Sequence, residues 1–359
     1  MSATTTSGSW CVHSTVHESV ELLCAFTAHY LDMGASEVHL FLDRPTEEVV
    51  ETLRRVDGVR LTLCDNTYWA QSSAGHRPDG QVRRQLINAN RAYSQAKQDW
   101  LLFCDADEYV FSPVDFAHTL AAVNVSDGYA KIGVVERAYS SEDPQQTLFD
   151  STFFRVPVDP AVVDLNEVYG HYAKLFPQGT LGHARGKCVV RTGLPYDLRV
   201  HFPVDRDSRL NRQQQQKASI AAKPLSGPKL LHFDGFTPLH WMVKLLKRHQ
   251  NNQADADNLV RRAEGDQRKR SLQIDEMYAA RNDSARLLSL SRAQFIDNSL
   301  RHQLQQFGGL FEAKLQIEAT ARRYFKEVTF DFSVATFDAR LREQNAALIA
   351  GTAWPFLKV

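Results

Sequence analysis

The sequence predicts an α/β fold in which a mostly parallel sheet is covered by helices on both faces, followed by a C-terminal helical extension. Two observations predict it. Through the first third of the chain, short runs of β-forming residues alternate with segments of helical period. Parallel neighbours need a crossover of a dozen or more residues, usually a helix, so this β-α-β-α order folds most simply to a parallel sheet with buried strands. After Pro238 the alternation stops and helical patterning takes over.

Each element follows from local chemistry. Residues 10–16 are rich in β-formers and read as the first strand. From Glu18 to Met33 the apolar positions Val20, Leu22, Leu23, Phe26, Tyr30 and Leu31 recur at helical spacing, and Gly34 closes the helix. Residues 37–42 (EVHLFL) form a short buried strand that stops at Asp43. Thr46 caps a helix through Arg55 whose first turn is acidic. Residues 59–64 are a strand, 81–97 a polar helix, and the apolar run 100–104 (WLLFC) a further strand. A helix is expected over 116–122, opened near Pro113, and a strand over 128–135. Residues 140–180 carry several prolines and aromatics and read as irregular, a stretch suited to an acceptor-binding wall or lid. Short strands are expected at 187–191, 198–202 and 229–233, a loop or exposed helix at Gln213–Gln216, and helices over 240–248 and much of 283–310. The division expected is a catalytic domain over 1–235 and a helical extension over 236–359.

Composition narrows the function classes. Lys+Arg and Asp+Glu both number 42, so the basic excess usual in a nucleic-acid binder is missing and no nucleic-acid partner is expected. The 5 cysteines have no Cys-x-x-Cys spacing, which points away from zinc and from a disulfide framework and fits a reducing cytoplasm. The polar start, Met1 to Ser9, lacks the pattern of a secretory signal, and no apolar run reaches the roughly 18 residues of a membrane span. No phosphate-binding Gly-x-x-x-x-Gly-Lys loop, dinucleotide Gly-x-Gly-x-x-Gly or Gly-x-Ser-x-Gly elbow is present.

The sharpest chemical signal is WLLFCDADEYVF, residues 100–111. An apolar strand stops, and Asp105, Asp107 and Glu108 follow within four residues. Burying unpaired carboxylates is costly, so they belong at the strand's carboxyl end, where open α/β sheets bind ligands. Asp105 and Asp107, two apart in extended chain, can point to one side. Hard oxygen donors of this kind suit Mn²⁺ or Mg²⁺, which would bridge a diphosphate and neutralise it as it leaves. The plain alternative is an acidic turn whose aspartates cap backbone amides.

The segment 16–43 (VHESVELLCAFTAHYLDMGASEVHLFLD) and the block 83–111 (RRQLINANRAYSQAKQDWLLFCDADEYVF) resemble the family 2-like glycosyltransferases of the GT-A fold, especially a bacterial branch. GKCVVRTG at 186–193 with VHFP at 200–203, and LLHFDGFTPLHWMVKLLKR at 230–248, resemble later blocks of the same family. Together they span roughly residues 10–250. The resemblance implies Asp105 and Asp107 as the metal motif, with Asp107 the closer ligand, Asp43 near the nucleoside and Glu18 in the nucleotide-contact turn. The chain departs from the family at His17, where Asn is frequent. A late histidine, His232 with His201 competing, is implied as a third metal ligand; each can equally serve a backbone carbonyl. Lys244, Lys247 and Arg248 can reach a diphosphate or form the solvated face of a helix. Arg84 or its neighbour Arg83 can touch the donor or lie at the surface. Inverting transfer needs a general base; Glu136, after the strand-like KIGVV, is the first choice, with Glu142, Asp143 and Glu167 as alternatives.

The expected reaction is sugar transfer from a nucleotide-sugar, a UDP-sugar favoured, to a hydroxyl of a glycan or lipid-linked acceptor, as in the synthesis of a surface polysaccharide. The basic stretch Arg261 to Arg270 offers peripheral contact with an anionic membrane. The competing readings are a metal-dependent phosphoesterase and an inactive sugar-binding scaffold.

Overall fold

The computed structural model describes residues 8–150, 152–207, 220, 222–253 and 266–354. Two compact units divide the chain: Met1–Gly133 with Arg185–Leu230 and Gln316–Phe330, and Val134–Ala184 with Leu231–Leu315 and Asp331–Val359. Both are discontinuous in sequence, and neither boundary falls at residue 235.

In the first unit the order is β1 (Trp10–Val16), α1 (Val20–Asp32), β2 (Glu37–Leu42), α2 (Glu47–Arg54), β3 (Val59–Leu63), α3 (Asn66–Ala70), α4 (Gln81–Gln95), β4 (Trp100–Phe103), β5 (Glu108–Phe111), α5 (Phe116–Ala121) and the start of β6 (Tyr129–Arg137). Strands β4, β1, β2 and β3 lie side by side and parallel, as the alternation predicts. The strand Lys187–Arg191 then adds antiparallel to β4 on one side and to β6 on the other. The sheet therefore mixes a parallel core with antiparallel additions, and β5 pairs with the strand Ala222–His232.

Local chemistry accounts for the helix starts. Thr46 accepts from the amide of Val49, Asp65 from Tyr68 and Asp115 from His118. Residues 66–70 and 108–111 lack a long periodic signal, and both elements were missed from sequence. Helix α1 is buried from Val20 to Tyr30 because the helix Ile317–Tyr324 packs along it, with Arg323 paired to Asp32. The late segment 316–330 thus belongs with the first strands. The expected strand 198–202 is instead the turn of a hairpin between Tyr196–Leu198 and Pro203–Asp205. Gln213–Gln216 and Arg261 lie outside the described residues.

The second unit carries its own core. Phe153–Arg155 pairs antiparallel with the end of β6 and with Leu310–Glu312. Helices Pro238–Gln253, Asp266–Ala280 and Ser284–Arg292 bury Trp241, Met242, Leu245, Ile274, Met277 and Leu287 among themselves and around Phe176. The stretch expected to be irregular holds the helix Leu165–Tyr169 and a following 3₁₀ turn, and residues 160–166, 173, 174, 176 and 177 line an open cavity of about 610 Å³. Among the described residues, no helix is long and apolar enough to cross a membrane.

Candidate functional site

Trp100, Leu101, Leu102 and Phe103 are each 0% exposed. Burying side chains of this size contributes roughly 1.5–3 kcal/mol apiece, so the run holds β4 in the middle of the sheet. Its carboxyl end is therefore fixed, and the turn Asp105–Asp107 begins there before β5. Glu18 follows β1 and Asp43 follows β2, so acids stand after three adjacent parallel strands. That shared edge is where ligands bind in open α/β sheets.

The three acids of the turn have different surroundings. Asp105 Oδ1 accepts from Gln85 Nε2 at 2.8 Å, and Oδ2 from Lys187 Nζ at 2.7 Å. Glu108 is 0% exposed; its Oε2 accepts from the Asp105 amide at 2.8 Å and lies 3.2 Å from Lys187 Nζ. Lys187 is itself 0% exposed. Burial works against its charge, but Asp105 and Glu108 outweigh that and hold the ammonium above its ordinary pKa. Asp107 is half-buried, and Glu18 is exposed. Burial pushes the Tyr109 phenol well up, and the charges of Asp107 and Glu18 push it further.

Asp43 is bound by two arginines, Arg77 Nη2 at 2.8 Å and Arg84 Nε at 3.1 Å. Arg84 also donates to the carbonyls of Pro78 and Asp79. Arg84, expected on the donor, braces Asp43 and the 78–79 loop. Arg83, one step round the helix, is exposed. Asn88, on the same buried face as Arg84 and Gln85, donates to Thr15 Oγ1 and accepts from the Tyr68 hydroxyl.

Sequence reading passed over Gln85, Asn88 and Lys187 as site residues. The first two had a signal: Arg84, Gln85 and Asn88 share one face of α4 at i, i+1 and i+4, a polar group where an amphipathic helix should be apolar. Lys187 had Gly186 before it. That glycine has φ +66°, and a Cβ there would stand 2.0 Å from the Ile132 carbonyl oxygen. His201, the competing metal candidate, bonds through Nδ1 to the Gly186 carbonyl at 2.8 Å, the backbone role open to any histidine.

The remaining candidates belong to the second unit. Glu136 is 2% exposed, and both its oxygens accept backbone amides, from Leu181 at 2.6 Å and from Gly182. Burial and the charge of Asp234 raise its pKa to about 7, against the pull of those amides and Arg155. Glu136, expected as the general base, holds the turn at Leu181 and Gly182 through these two bonds. His232 Nδ1 lies 3.8 Å from Glu136 Oε2, and its ring is 5.2 Å from that of His183. Asp234 takes both arms of Arg270, at 2.8 and 2.9 Å, with Trp241 Nε1 at 3.2 Å and Lys244 Nζ at 3.5 Å. Burial would raise the Asp234 pKa, but Arg270 and Lys244 hold it well below the usual carboxylate range. Lys244, expected on a diphosphate, is thus engaged with Asp234. Glu142, Asp143 and Glu167 are exposed loop or helix acids.

No protein-family model matches the chain, and no curated protein matches it. Among solved structures, residues 1–349 of TarS from S. aureus in complex with UDP-GlcNAc align at 17% identity and a TM-score of 0.34, over 79% of this chain and 74% of that one. The same protein in complex with UDP aligns at 16% and 0.34, over 89% of each chain. HddC from Yersinia pseudotuberculosis aligns at 12% and 0.30, over 60% of this chain and 89% of that one. Likenesses of this size say nothing of what this chain does.

Proposed function

We propose that this protein is a cation-dependent glycosyltransferase that binds a nucleotide-sugar along the carboxyl ends of β1, β2 and β4. The observation that carries this reading is the convergence there of Glu18, Asp43 and the Asp105–Asp107 turn, three acidic positions after three adjacent parallel strands. The residue chemistry fits Mn²⁺ or Mg²⁺: half-buried Asp107 and exposed Glu18 carry the hard oxygen atoms such ions take. When bound there, the cation would neutralise charge on the departing diphosphate.

The protein's own residues do the rest. Arg77 and Arg84 hold one Asp43 oxygen, which orients the carboxylate for a ribose or base hydroxyl or amide donor. Gln85 and Lys187 fix Asp105, so the turn carrying Asp107 is set before ligand arrives. A UDP-sugar is the expected donor, a hydroxyl of a glycan or lipid-linked molecule the expected acceptor, and inversion at the transferred carbon the expected outcome; these three come from the family resemblance. Glu136 is left out of the reaction.

The deciding experiment is calorimetric titration with UDP, GDP, CDP and dTDP, each with and without Mn²⁺. One nucleotide should bind, and only with the cation. Binding of none in either condition would remove the donor site.

A further inference from the structure

We propose that Asn88 is a positioning residue for the ligand edge of the first unit: its side-chain amide pins α4 to β1, to the end of β3 and to α3, and so fixes where Arg84 and Gln85, one turn earlier, hold Asp43 and Asp105. The pin stands on the geometry alone; its bearing on ligand binding rests on the function proposed above.

Asn88 is 0% exposed, in the middle of α4. Asn is a poor helix former and its amide is costly to bury, so an apolar residue would suit this position unless the amide is fully bonded. It is fully bonded. Its Oδ1 accepts from the Tyr68 hydroxyl at 2.6 Å. The two protons on Nδ2 meet two acceptors, Thr15 Oγ1 at 3.1 Å and Cys64 Sγ at 3.6 Å. Thr15 lies in β1, Cys64 directly follows β3, and Tyr68 lies in α3. Arg91, nearly a turn further along α4, places its guanidinium 4.8 Å from the centre of the Tyr68 ring and so holds the same side chain.

Residues three and four positions before Asn88 share its face of the helix. They are Gln85, which donates to Asp105 at 2.8 Å, and Arg84, which donates to Asp43 at 3.1 Å. Asp43 directly follows β2, and Asp105 stands two residues beyond β4. The stretch 84–88 thus makes a polar bond to, or just beyond, each of four adjacent strands, ordered β4, β1, β2, β3 in the sheet. Helix α4 starts at Gly80 without a side-chain cap, unlike α2, α3 and α5, so its buried contacts set its place along the sheet. Further on, Tyr93 bonds to the carbonyl of Arg191, which pairs with Trp100 at the opposite end of β4.

A helix advances about 1.5 Å per residue. Apolar contacts tolerate a slide of about 1 Å, whereas a short hydrogen bond loses most of its strength over that distance. Three bonds from one amide to three different elements therefore hold α4 against such a slide, as fully bonded buried networks do. A displacement of about 1 Å at a group that positions a ligand can cost on the order of 100-fold in function. Asn88 lies beneath the edge and acts on it through Arg84 and Gln85.

The test separates this role from plain stability. Asn88→Leu alone strands the Tyr68 hydroxyl and should lower the melting temperature, which loss of any buried bond would do. Replacing both partners of a bond by apolar groups of like shape is nearly neutral. Thr15→Val/Tyr68→Phe/Asn88→Leu should therefore melt close to the wild type yet lack the pin. The amides of Asp43, Cys104 and Asp105 are bonded to Val16, His13 and Glu108, so there is protection to lose. In the purified full-length triple variant, hydrogen–deuterium exchange at the Asp43 and Asp105 segments should rise about tenfold, the scale of one or two net hydrogen bonds. Exchange in the middle of β1 and β2 should stay at the wild-type rate. Wild-type exchange at either segment overturns the pin, as does a uniform rise across the unit. UDP titrated with MnCl₂ reads the functional half: affinity should fall about tenfold, the low end for a supporting residue. Wild-type affinity with raised exchange overturns the positioning role. A wild type that does not bind UDP counts against the donor reading alone, and exchange still decides the pin. If the triple variant does not fold, Tyr68→Phe, which removes one bond, carries the same exchange comparison.

Discussion

Two charge clusters, one in each unit, differ in how far their carboxylates are closed off from water. In the first, Asp105 and Glu108 share one ammonium, and Asp107 stands beside them half-buried. In the second, a single carboxylate, Asp234, is met by Arg270 and Lys244. The first cluster lies at a partly open turn, with Asp105 and Asp107 half-buried. The second is closed, and Trp241 Nε1 also donates to Asp234. A count of acids does not separate a cation site from a structural ion pair. The water left around each acid does.

The strongest way to break this comparison is Asp107→Ala. Loss of outer-shell partners alone typically costs a metal site about 10- to 100-fold, so removal of a ligand should weaken Mn²⁺-supported nucleotide binding by at least about 100-fold. Thermal unfolding should be unchanged, because the side chain is partly solvated. Calorimetry with and without Mn²⁺ checks the first part, and retained cation-dependent binding would end the assignment.

Asp234→Asn should do the reverse. Breaking a buried pair costs about 3–5 kcal/mol, and about 2 kcal/mol is expected here because Arg270 and Lys244 keep some contact with water. Their side chains are 20% and 19% exposed. Urea unfolding should show the loss, while nucleotide affinity in folded protein stays at the wild-type value.

The smallest effect sharpens the role of Glu136. Its folded pKa, about 7, lies above the ordinary carboxylate value. The folded state therefore holds a proton that the unfolded state releases, and this contribution to stability is fully present below about pH 4.3 and lost as pH rises through 7. Glu136→Gln, which cannot ionise, should flatten that part of the curve, with a difference on the order of 1–2 kcal/mol. Unfolding of both proteins at pH 5, 6 and 7.5 measures it. Parallel curves would mean that the carboxylate is ionised throughout.

Much of the first unit was legible in the sequence. Strand β1, strand β2 and the capped start of α2 follow from β-rich runs, an apolar hexamer and Thr46, all local signals. The position of Asp105 and Asp107 at a strand end was legible for the same reason: an apolar tetramer must be buried, and the acids directly after it mark where the strand stops; the burial of Glu108 was not legible. The hairpin around 198–202, the short strand β5 and the helical turns after Leu165 were not, since each is set by what it packs against rather than by its own periodicity.

The sequence by itself determined where the acids stand, because the apolar strand that must be buried and the acids that end it lie within a few residues of one another. Only the tertiary structure decided what each acid can do. Lys187 reaches Asp105 across 82 positions, Arg84 reaches Asp43 across 41, and Arg270 reaches Asp234 across 36. Charge compensation acts through space over a few ångströms, and register between distant strands and helices, which no local pattern encodes, sets those distances.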